Sequence, residues 1–123
     1  MDGLIKVNCE NGRQTTSARD LWEFLDRPYS RFDLWFGKYK DYGFIEDHDF
    51  RAYVVKTTHA NGRDYEATDY EITIDMAKEL AMLQKSEKGK IARQYFIELE
   101  KQWNSPEAIM ARALKVADAK MLE

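Results

Sequence analysis

One cysteine, two histidines and two prolines are spread over 123 residues. With Cys9 as the single thiol, an internal disulfide and a cysteine-built zinc site are both excluded. The free thiol points to a reducing compartment, so the cytosol is the expected location. His48 and His59 are the only histidines, which leaves acid–base and paired-histidine metal chemistry few of their usual carriers. No apolar run approaches the roughly 20 residues of a membrane helix. The opening MDGLIKVNCENG lacks the basic-then-apolar pattern of a signal peptide. There is no glycine-rich phosphate loop, serine elbow, internal repeat or low-complexity tract. Positive charge is not in excess either. A net charge of −3 argues against bulk attraction to nucleic acid or anionic membrane, although a local basic face is compatible with it.

What is present suffices for one modest domain. The chain is 44% hydrophobic and 13% aromatic, enough to fill a core without staples. Leu4 to Val7 predicts a short strand, Asn11-Gly12 a turn, and Arg13 to Thr16 a returning strand. Cys9 then reads as a small residue in or beside a strand. Ser17 followed by Asp20 has the spacing of a helix cap, and Leu21, Trp22, Phe24 and Leu25 give the helix from Ala18 to Leu25 an apolar side. Pro28 ends it. Phe32, Trp35, Phe36 and Tyr39 predict a second amphipathic helix, stopped near Gly43. Such a pair has a structural reading and a helix-turn-helix reading.

His48 lies among Glu46, Asp47 and Asp49, but adjacent carboxylates point in different directions, so no metal is expected there. Phe50 to Thr58 and Asp64 to Ile74 predict a hairpin with an Asn61-Gly62 tip, and the alternation slips near Thr68–Asp69, as a bulge would make it. The tip offers His59, Asn61 and Arg63 as a wing. The returning strand carries Asp64, Glu66, Asp69 and Glu71, a poor surface for phosphates.

Thr73 is the expected cap of a helix lined by Met76, Ala77, Leu80 and Leu83. A polar break follows, then a longer helix from Ser86 to Trp103 with the stripe Ile91, Tyr95, Leu99 and Trp103, flanked by Ala92, Phe96 and Ile97. Lys85, Lys88, Lys90 and Arg93 gather at the break. They read as a solvated helix start or as a contact for an anion or acidic partner. Ser105-Pro106 opens a last helix, whose Met110, Leu114, Ala117 and Met121 have heptad spacing and suit oligomerisation. The chain closes without a helix stop signal, so the expectation is a domain over 1–104 and, over 105–123, a helical linker or oligomerisation segment leading to a further part.

Four pieces in this order, TTSARDLWEFLD, WF followed by YGFIEDHDF, YEITIDMAKELAM and SEKGKIARQYFIELEK, resemble the AntA/AntB antirepressors of temperate phages and prophages. They cover about Thr15 to Trp103. The resemblance implies a small α+β module, with short N-terminal strands, two short helices, a β-hairpin and a C-terminal helix pair. It implies a non-enzymatic protein without cofactors that works in the cytoplasm of the bacterial host. It also implies binding to a phage repressor, whose inactivation permits lytic gene expression. Glu66, Asp69 and Glu71, or Lys85, Lys88, Lys90 and Arg93, are the candidate partner contacts. Direct DNA binding through residues 18–39 and the His59–Arg63 wing is the alternative, and an assembly scaffold is a third reading.

Overall fold

In the computed structural model, which describes residues 4–10 and 12–121, four strands and five helices follow one another along the chain. Strands β1 (Val7–Glu10) and β2 (Arg13–Ser17) form an antiparallel hairpin with Val7 opposite Thr16. Asn11 of the expected turn lies outside the described residues. Gly12 takes the left-handed φ of 75° that the turn needs. The first strand begins at Val7 rather than Leu4. Ile5 is buried, and its carbonyl accepts a hydrogen bond from Tyr95 Oη at 3.0 Å, so the lead-in is spent on the core.

Helix α1 (Ala18–Phe24) opens where the cap predicts: Ser17 Oγ accepts from the Asp20 N–H at 3.1 Å. In the link to α2 (Phe32–Tyr39), Asp26, Arg27, Tyr29 and Ser30 all adopt positive φ. Trp22 Nε1 donates to the Pro28 carbonyl at 2.9 Å and anchors that link. Helix α2 stops at Tyr39, ahead of Gly43; the glycine serves the following turn with φ 86°.

Strands β3 (Phe50–Thr58) and β4 (Asp64–Thr73) complete an antiparallel sheet in the order β1-β2-β4-β3. Their register is unbroken from Phe50 opposite Ile72 to Thr58 opposite Asp64, so there is no bulge at Thr68–Asp69. The alternation slips there for another reason. Tyr70 and Ile72 face the core, whereas Asp69, on the opposite face, is buried by polar partners. β2 reaches β4 only at Glu71 to Thr73. Toward the tip the β3–β4 hairpin therefore continues as a two-stranded arm.

Beneath the sheet, Phe32, Trp35 and Phe36 of α2 meet Phe50, Tyr70 and Ile72, with the Phe36 and Tyr70 rings stacked 4.0 Å apart. Each such side chain contributes about 1.5–3 kcal/mol by leaving water. Helix α3 (Ile74–Leu83) is capped by Thr73 and buries Met76, Ala77 and Leu80. Helix α4 (Glu87–Trp103) packs on it through Gly89, Ala92 and Phe96. Of the expected stripe, Tyr95 and Leu99 pack into the core with the flanking Ala92 and Phe96, whereas Ile91 is 38% exposed. Gly89 shows why the row begins off Ile91. A Cβ there would sit 2.4 Å from the Ala81 carbonyl oxygen, so the two backbones touch where only glycine fits. Helix α5 (Pro106–Met121) starts at Ser105, whose Oγ accepts from the Ala108 N–H. Arg112 lies 3.8 Å from the Trp103 ring centre and donates to the Trp103 carbonyl, which sets the angle at which α5 leaves α4.

Candidate partner-binding surfaces

Asp69 is 4% exposed, so it does not belong to an acidic outer surface. Its carboxylate accepts from Ser17 Oγ at 2.5 Å, the Arg19 N–H at 3.0 Å and Tyr53 Oη at 2.9 Å. It thereby ties the start of α1 to β4 and β3, with the negative charge against the positive end of a helix. Burial, with the charge of Asp69 next, pushes the Tyr53 hydroxyl up to about 12. Burial first and then Asp69 also raise the carboxyl of Asp20. The partners of Asp69 are all hydrogen-bond donors. Its bonds are those of a structural hub.

Of the other expected acidic contacts, Glu66 is exposed on the arm, opposite Lys56, and Glu71 is half-buried, opposite Arg51. Cross-strand cations therefore offset both carboxylates. At the tip, Asn61 Oδ1 accepts from the Arg63 N–H, and the His59 ring stacks on Tyr65 at 3.8 Å. The stack and the exposed Tyr53 had no signal in charge patterning. Period-two alternation on residues 53, 55 and 57 was the cue. Val55 and Thr57, with Tyr65, Ala67 and Asp69, wall a groove of about 560 Å3 whose other side is Arg19, Asp20, Trp22 and Glu23 of α1 and Arg27 of the link that follows it. In the helix pair, α2 turns Phe32, Trp35 and Phe36 inward and leaves Asp33, Leu34 and Lys38 outside.

The basic cluster is divided by the structure. Lys85 takes φ 51° directly after the α3 cap, and Ser86 Oγ caps α4 by accepting from the Gly89 N–H. This tight reversal brings Lys85, Lys90 and Arg93 around one groove of about 490 Å3 with Met82 and Glu87. Lys88 is directed elsewhere: its Nζ lies 5.0 Å from the Phe24 ring centre. Met82, at 54% exposure, and Ile91 add apolar surface beside the cations. On α5, Met110 and Leu114 are exposed, Ala117 is exposed too, and the side chain of Met121 lies outside the described residues. Among the described residues no group of three His, Cys, Asp or Glu side chains is placed to hold a metal ion, and no helix is long and apolar enough to cross a membrane.

A charged groove, a protruding arm and a buried carboxylate with a structural role are the features of this small α+β domain. The family profile of AntA/AntB antirepressors matches residues 16–86, more than half of the chain, and the protein belongs to that family. Its role is that of a phage antirepressor, in a regulatory and non-enzymatic family. The match runs from β2 through α3 and ends at Ser86, so α4 with its EKGKIARQYFIELEK segment lies beyond it. No curated protein and no solved structure matches the chain.

Proposed function

We propose that this chain binds a phage repressor protein, removes it from its operators and so permits lytic gene expression. The match to the antirepressor family across the sheet, α1, α2 and α3 carries the reading. The surfaces support contact with a protein more than with DNA. On the arm the cations of β3 stand opposite acids of β4, Arg51 against Glu71 and Lys56 against Glu66, and α2 turns Asp33 and Leu34 outward with Lys38 as its one cation, where a DNA-reading helix would present several. Residues 1–104 act as the module in this account, and residues 105–123 serve as a helical linker or oligomerisation segment, with Met110, Leu114, Ala117 and Met121 as its contact stripe.

Two sets of charges are the candidate contacts: Glu66 and Glu71, which lie on opposite faces of β4, and Lys85, Lys90 and Arg93 around one groove at the α3–α4 reversal. Opposite charges steer encounter and set register, so reversing the correct set weakens association and its salt dependence together. The test is a pull-down with the repressor encoded beside its gene, comparing the unaltered chain with a Glu66→Lys/Glu71→Lys variant and a Lys85→Glu/Lys90→Glu/Arg93→Glu variant. Loss of capture in one variant identifies the set in contact. Absence of capture by the unaltered chain refutes the reading.

A further inference from the structure

The outer edge of β3 is long, regular and uncovered. β3 ends the sheet and, among the described residues, pairs only with β4. At its start, Glu46 bridges Phe50, and the Asp47 N–H donates to the Phe50 carbonyl. From Arg51 to Thr57, β4 supplies the only backbone partners among the described residues. Proteins normally blunt such an edge with proline, a bulge, shortness, charged side chains or a covering element; of these, β3 carries two charges, Arg51 and Lys56, on either side of its apolar middle. The opposite edge, β1, is short at four residues. β3 has nine residues, with no proline and no bulge. Val54 at its middle is 63% exposed and Tyr53 is 40% exposed.

We propose that β3 pairs antiparallel with β3 of a second copy, joining the two four-stranded sheets across a two-fold axis. The strand's own sequence argues for this occupant. Overlaid on itself over the free stretch Arg51–Thr57, the strand is centred on Val54, which meets Val54 of the other copy. Tyr53 then faces Val55, an aromatic and β-branched pair of the favoured kind, and the pair occurs twice by symmetry. Ala52 faces Lys56, and Arg51 faces Thr57. Both cations thus meet neutral residues, and no like charges are opposed. Every pair joins residues of the same sheet face, so the apolar side of the arm runs on into the apolar side of its mate. This assembly uses a different part of the molecule from α5 and does not depend on which repressor is bound.

Sedimentation velocity of the unaltered chain at tens of micromolar is expected to show a dimer. Val54→Lys, which sets two ammonium groups against each other on the axis, is expected to give a monomer with an unchanged circular dichroism spectrum, because Val54 is exposed in the single copy. Register is read by cysteine. In a Cys9→Ser background, Val54→Cys is expected to form an intermolecular disulfide on mild oxidation. Thr58→Cys is not, since its mate would lie about 27 Å away along the pair. A monomeric unaltered chain overturns the proposal. So does a dimer that survives Val54→Lys but is lost with Leu114→Lys, and so does equal crosslinking of the two cysteine variants.

Discussion

Two glycines sit inside helices, and replacing each by alanine is predicted to move stability in opposite directions. Gly37 in α2 is exposed, and a Cβ there would meet nothing within 4 Å. Gly37→Ala therefore gains only the better helix propensity, up to about 1 kcal/mol. Gly89 in α4 is buried against α3, with a Cβ position 2.4 Å from the Ala81 carbonyl oxygen and 3.3 Å from Ser86 Oγ. Ordinary contact begins near 3.4 Å, so the helices must separate by about 1 Å at their tightest point. The Ala81 carbonyl also accepts from the Gln84 N–H that closes α3, so it is not free to swing away. Overpacking of this kind costs about 3 kcal/mol, and the propensity gain offsets about 1, which leaves a net loss of about 2 kcal/mol. For a chain of this length the unfolding entropy is about 0.26 kcal/mol/K, so Gly89→Ala should lower Tm by about 8 °C while Gly37→Ala raises it slightly. Thermal melts followed at 222 nm decide the matter. A Gly89→Ala protein as stable as the unaltered one would refute the account of how α3 and α4 meet.

Asp69→Ala strands the Ser17 hydroxyl, the Arg19 N–H and the Tyr53 hydroxyl together, and should cost about 3 kcal/mol in urea unfolding. A loss below about 1 kcal/mol would show that the hub is dispensable. Tyr53 holds its proton more tightly folded than unfolded, so its contribution to stability is complete below pH 10 and is lost as pH rises through about 12. An absorbance titration at 295 nm should show one tyrosine ionising last, absent in Tyr53→Phe. In the basic cluster, Lys88→Glu should weaken repressor binding far less than Lys90→Glu if the α3–α4 groove is the contact, because Lys88 packs over Phe24 away from it. Equal losses in a binding titration would remove the groove from the account.

Most of the fold was legible because its boundaries are local chemistry. Ser17, Thr73, Ser86 and Ser105 all accept the backbone bond that their helix starts require, and each could be recognised from its own short stretch of sequence. The errors lie where distance in sequence is large. Asp69 broke an apolar alternation and read as a bulge beside an acidic surface, since its partners Ser17 and Arg19 are about 50 residues away. In the α4 stripe Tyr95 and Leu99 pack on the core as their spacing predicts, but the row begins at Gly89 and Ala92 and not at Ile91, because α3 approaches where only glycine fits. Lys88 was grouped with its neighbours by charge alone, and only the turn geometry separates it. The uncovered edge of β3 is a property of sheet order, which composition and periodicity do not encode.

The central claim is that the chain acts on a repressor and not on the operator. Fluorescence anisotropy of a labelled operator duplex tests it directly, with the repressor bound first and the unaltered protein then titrated in. The account predicts a fall to the value of free DNA, and no change when the protein is added to naked operator. A repressor–operator complex left intact, or a rise in anisotropy with naked operator, would contradict it.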